Sequence, residues 1–133
     1  MAFVIKQPDT SRRGVMQSMA SRIVFGDENT AITIGGEALP ANTVIHSTFR
    51  HVTQAFNDSG TDTLIVGDAN DPDRHNTTGQ TTMTGLSTAT ASVTGAAGGF
   101  YLNAATAITA MYEGQNNDAT AGSVDVWVWY TVL

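Results

Sequence analysis

At 133 residues the chain has the length of one domain, and its lack of Cys excludes disulfides and thiolate metal sites. Only 14% of its residues are charged and the net charge is −6, which disfavours nucleic acid as a general partner. No run approaches the ~20 apolar residues of a membrane span, and Met1-Ala-Phe-Val-Ile-Lys6 meets a charge too early for a signal-peptide core. A soluble protein made in the cytoplasm, with no membrane partner, is expected.

Charge is distributed unevenly. Lys6, Arg12, Arg13 and Arg22 against Asp9 make residues 1–22 net +3, while Arg50 and Arg74 against eleven acids make the rest −9. Residues 1–20 hold Pro8, two adjacent Arg and no sustained period, and read as an N-terminal arm; Val15, Met16 and Met19 would make one apolar helical turn at most. The body, 21–133, is rich in Thr, Ala and Gly, and its few Lys and Glu argue against long surface helices.

The body reads as a succession of short strands. Ser21–Phe25 and Asn29–Ile34 flank Gly26-Asp27-Glu28, and Leu39-Pro40-Ala41-Asn42 is a turn. Thr43–Phe56 is the longest β-rich run. Val44, Val52 and Phe56 share one parity while Ile45, Phe49 and Ala55 share the other, which predicts a bulge that switches faces midway. After the turn Asn57-Asp-Ser-Gly60, Thr63–Val66 is expected to form a hairpin with that run. Residues 67–85 form a long polar loop, Leu86–Thr94 a weak small-residue strand, and Phe100–Leu102 and Ala105–Glu113 two further strands.

The last ten residues, Val124-Asp-Val-Trp-Val-Trp-Tyr-Thr-Val-Leu133, form the strongest strand. One face carries Val124, Val126, Val128, Tyr130 and Val132; the other carries Asp125, Trp127, Trp129, Thr131 and Leu133. Both faces are apolar, so both need cover, from a second sheet or from another subunit. Val126, Trp127, Val128, Trp129 and Tyr130 are therefore the candidate oligomer interface. Strands at such spacing predict an all-β fold: an antiparallel β-sandwich, jelly-roll-like, with an extended N-terminal arm.

The loop Asp68-Ala-Asn70-Asp71-Pro-Asp73 gathers oxygen ligands and raises a calcium site against ordinary turn chemistry; the EF-hand register fails, since no Gly stands sixth and no Glu twelfth. His46, His51 and His75 have no ligand spacing, and His46 and His51 would face opposite sides of a regular strand. There is no Gly-x-Ser-x-Gly elbow, phosphate loop or HExxH, so neither an enzyme nor a cofactor is expected.

Residues 43–74 contain Thr-Val-Ile, then Val-Thr-Gln-Ala-Phe-Asn, then Thr-Leu-Ile-Val-Gly-Asp-Ala-Asn-Asp-Pro-Asp-Arg. Residues 110–132 read Ala-Met-Tyr-Glu-Gly, then Ala-Thr-Ala-Gly-Ser-Val-Asp-Val-Trp-Val-Trp-Tyr-Thr-Val. Together these segments resemble small structural proteins of tailed bacteriophages. The resemblance implies a virion component, a capsid cement or decoration protein bound to the outer capsid surface as an oligomer, a trimer foremost, with the major capsid protein as partner. Lys6, Arg12, Arg13 and Met16 are the candidate capsid-binding arm residues. A tail or fibre component is the alternative, and a glycan-binding β-sandwich module using Trp127 or Trp129 is a third.

Overall fold

The structure, a computed structural model, describes residues 11–75, 81–92 and 99–133. It is an all-β sandwich of two antiparallel sheets. The larger sheet runs β1 (Met16–Val24), β9 (Ser123–Val132), β3 (Thr43–Gln54), β6 (Ser87–Ser92), with β7 (Phe100–Leu102) also paired to β3. The smaller runs β2 (Ile32–Thr33), β8 (Thr109–Gly114), β4 (Asp62–Gly67), β5 (Thr81–Thr82).

The terminal strand is central. It pairs with β1 from Met16↔Thr131 to Val24↔Ser123, and with β3 from Thr43↔Val132 to Gln54↔Ser123. Val124, Val126, Val128, Tyr130 and Val132 point into the sandwich and are fully or almost fully buried, against Ile108, Ala110 and Tyr112 of the opposite layer among others. Complete burial of each branched or aromatic side chain contributes on the order of 1.5–3 kcal/mol. The second sheet thus covers one face of β9 without help from another chain.

The bulge expected in β3 is present. The register against β9 shifts between Ile45 and Ser47 and again between Val52 and Gln54. The first shift lets Ile45 and Val52, of opposite parity, both reach the core. It also carries His46 onto the outer face, where its Nε2 lies 2.8 Å from Thr131 Oγ1. His51 pairs with Asp125 on that same face. The expectation that the two histidines face opposite sides fails because the strand between them is not regular.

Two further expectations are corrected. β1 begins at Met16, so residues 16–20 belong to the sheet and the body starts earlier than residue 21. Alternation explains it: Gln17, Met19, Ser21 and Ile23 face inward, and Met19 sits opposite Val128 with no exposed surface. The helical reading of Val15, Met16 and Met19 gives way to a period of two. β4 does not form a hairpin with β3. It lies in the other sheet, between β8 and β5, because residues 55–61 carry the chain across the edge of the sandwich.

Asp58 fastens that crossing. Its carboxylate accepts backbone N–H bonds from Gly60 (2.7 Å), Asn116 (3.1 Å) and Asp118 (3.3 Å), tying the corner to the loop before β9. Beneath it the Tyr112 hydroxyl donates to Asp62 Oδ1 at 2.5 Å. Phe56 packs on Tyr112 with ring centroids 4.3 Å apart, and its ring lies against Gly122.

Candidate interaction surfaces

The outer face of the larger sheet collects the side chains that β9 turns away from the core. Trp127 stands between Ala20 of β1 and Phe49 of β3; Trp129 stands between Ser18 and Ser47. Phe49 meets Trp127 edge-to-face at 5.3 Å. The small neighbours leave Trp129 uncovered, and it is 38% exposed. Met16, opposite Thr131 at the end of β1, is 57% exposed, and Leu133 follows on the same alternation. The face is therefore apolar along its middle and at one end.

Its other end is polar. Arg22 donates to Asp125 through Nε at 2.7 Å and through Nη2 at 3.1 Å, a bidentate pair beside His51. These hydrogen bonds raise the Arg22 guanidinium above its ordinary range, against the opposing effect of burial.

Each expected site residue has a definite place or lies outside the described residues. Of the five residues expected at an oligomer interface, Val126, Val128 and Tyr130 are wholly enclosed within the chain, so only Trp127 and Trp129 face outward. Tyr130 is further occupied by its hydroxyl, which donates to Gln17 Oε1 at 3.5 Å. Of the expected arm residues, Lys6 lies outside the described residues. Arg13 Nη1 donates to the Leu133 carbonyl and Gly14 N to Val132 O at 2.6 Å, fastening the segment before β1 to the C-terminus. Arg12 is exposed, and its carbonyl accepts from Gln17 Nε2 at 3.1 Å.

No protein-family model matches the chain, and no curated protein matches it. Solved structures do. Over 97% of its length the chain resembles a chain of the cyanophage Pam1 capsid asymmetric unit, at 22% identity, TM-score 0.63 and 93% coverage of that chain. It also resembles a chain of the acidic stable capsid structure of Helicobacter pylori bacteriophage KHP30, at 14% identity, TM-score 0.55, covering 98% of this chain and 93% of that one. The likeness is one of fold, and it runs through the whole sandwich.

The Asp68 loop is built by turn chemistry. The Asp68 carboxylate accepts N–H bonds from Asn70 (2.9 Å) and Asp71 (3.0 Å) and pairs with Arg74 Nε at 2.7 Å. Burial opposes its charge, but Arg74 and the two backbone N–H groups together hold the carboxyl below its usual range. Among the described residues no group of three His, Asp or Glu converges as a metal site.

A second acidic group surrounds the Asp58 corner. Burial works against the Asp58 charge, but the N–H bonds from Gly60, Asp118 and Asn116, with Glu28 alongside, lower its carboxyl to about 2. Glu28 is pushed up, first by burial and then by Asp58. The pair therefore divides into a protonatable Glu28 and a firmly ionised Asp58. Tyr112 is raised by burial and by its bond to Asp62. The turn residues Asn57-Asp58-Ser59-Gly60 and Gln115-Asn116-Asn117-Asp118 signal two loops in sequence, but nothing in either shows that they lock together.

Proposed function

We propose that the protein is a virion structural protein, a cement or decoration protein that binds the outer surface of a bacteriophage capsid as a homo-oligomer, with a trimer foremost, and stabilises the shell. The observation that carries this reading is the likeness, through almost the entire chain, to chains of two phage capsid assemblies. Near-complete coverage in both directions means that the likeness belongs to the domain itself and not to a shared fragment. The partner on this reading is the major capsid protein, and the protein works without catalysis.

The outer face of the larger sheet is the surface for that role. Trp129, Trp127, Met16 and Leu133 offer rigid aromatic and flexible apolar contacts of the type that concentrate binding energy. Residues 1–15, with Lys6 and Arg12, act as the shell-seeking arm. Arg13 serves at its base, against the C-terminus.

An add-back experiment tests the reading. Purified protein is mixed with capsids that lack it, and bound copies are counted after sedimentation. Saturable binding at a fixed number of copies per capsomer supports the proposal, and a truncation lacking residues 2–12 binds more weakly and with less salt dependence. Absence of saturable binding to such capsids refutes it.

A further inference from the structure

We propose that His75 and Phe100 form an acid-operated latch: protonation of the buried imidazole lifts β7 (Phe100–Leu102) off the 68–75 loop while the rest of the sandwich stays folded. The two rings meet edge-on at 5.4 Å, and the contact joins segments far apart in sequence. Arg74 covers the same Phe100 ring at 4.9 Å, so the loop grips β7 through this one side chain.

The buried ring has no place for a proton. His75 has no exposed surface, and neither Nδ1 nor Nε2 has a hydrogen-bond partner among the described residues. The charged groups acting on it are Asp68, Asp71 and Arg74. Asp68 is committed to Arg74 Nε at 2.7 Å and to the N–H groups of Asn70 and Asp71, and Arg74 also lies 3.9 Å from Asp71. β3 presents Thr48 to the loop and, two residues along the same inward alternation, the cation Arg50; β4 presents Val66 and β7 presents Phe100. Among the described residues these three strands bring no carboxylate to the ring. A proton gained there is stable only once the ring reaches water.

The weaker segment is the one that moves. The loop is held by His75 N on Val66 O at 2.8 Å, by Thr48 Oγ1 on His75 O at 3.3 Å, and by reciprocal backbone bonds between Asp68 and Asp71 at 3.0 and 3.2 Å. β7 is only 3 residues long and pairs with β3 alone, from Thr43↔Leu102 to Ile45↔Phe100. Lifting it breaks few bonds and leaves the ladder of β3 with β9 and of β9 with β1 whole. The proposal concerns the isolated chain and does not depend on the capsid reading.

Native-state hydrogen exchange read by mass spectrometry tests it, on the full-length protein at pH 7 and pH 4.5, with and without low urea, after correction for the intrinsic effect of pH on amide exchange. The expected result is that residues 99–103 exchange roughly 50–100-fold faster at pH 4.5, through an opening that low urea does not promote. Amides of β9 stay far slower and exchange only through an opening that urea promotes. His75→Leu removes the acid response of 99–103, and His75→Gln serves the same purpose if the Leu variant does not fold. No acid response in 99–103, the same rate and urea dependence there as in β9, or an unchanged response without His75 overturns the latch.

Discussion

His75 should make the fold sensitive to mild acid. Its ring has no exposed surface, neither ring nitrogen has a hydrogen-bond partner among the described residues, and it packs edge-on against Phe100 at 5.4 Å. Its backbone is fixed by the bond from its N–H to Val66 O and by Thr48 Oγ1 on its carbonyl. The charged groups acting on it are Asp68 and Asp71, which favour protonation, and Arg74, which opposes it; burial outweighs all three and lowers the ring to about 4. The unfolded chain takes up this proton near pH 6.5, the folded chain only near 4. Stability is therefore intact above 6.5 and falls as pH drops towards 4. The interval of about 2.5 pH units corresponds to a loss on the order of 3 kcal/mol.

Urea unfolding followed by Trp fluorescence between pH 7 and pH 4.5 measures this slope. The raised Glu28 works in the opposite sense over part of the range, gaining stability as pH falls towards its ordinary value. The comparison with His75→Leu removes that contribution. The wild type should lose about 2–3 kcal/mol more than His75→Leu across the interval, whatever their difference at pH 7. Parallel curves would refute the argument, because His75 would then gain its proton equally in both states.

Three substitutions probe the rest of the frame. Gly122 has φ +143°, and a Cβ there would meet the Phe56 ring at 2.2 Å, so Gly122→Ala should cost about 2–3 kcal/mol in the urea midpoint. Tyr112→Phe removes the donor to the fully buried Asp62 and should cost about 1–3 kcal/mol, read in the same assay at neutral pH. Asp68→Asn keeps the turn's acceptor but loses the charge facing Arg74; the melting temperature should drop, and calcium or a chelator should leave both proteins unmoved.

The fold was legible in the sequence where alternation was clean. β9 announced itself through its Val and Trp positions, and the parity conflict between Ile45 and Val52 announced the bulge in β3. Which strands share a sheet was not legible. Thr63–Val66 follows a turn-like Asn57–Gly60, the usual sign of a hairpin, but it lies in the other layer, where the grip of Asp58 on Gly60, Asn116 and Asp118, with Asn57 and Ser59 beside it, ties the corner to the loop before β9. β1 was half hidden because its inward positions include Gln17 and Ser21, which break the apolar alternation. The Trp side chains marked the outer face, but Val126, Val128 and Tyr130 read as an interface only while the opposing sheet was unknown.

On the proposed function this chain is a stoichiometric part of a phage shell. Quantitative mass spectrometry of purified particles, with the major capsid protein as internal standard, tests it most directly. Copies in the hundreds are expected, in a fixed ratio to the major capsid protein, that fall away together when particles are stripped of surface proteins. A few to tens of copies would place the chain in the tail, and none in washed particles would contradict a virion role altogether.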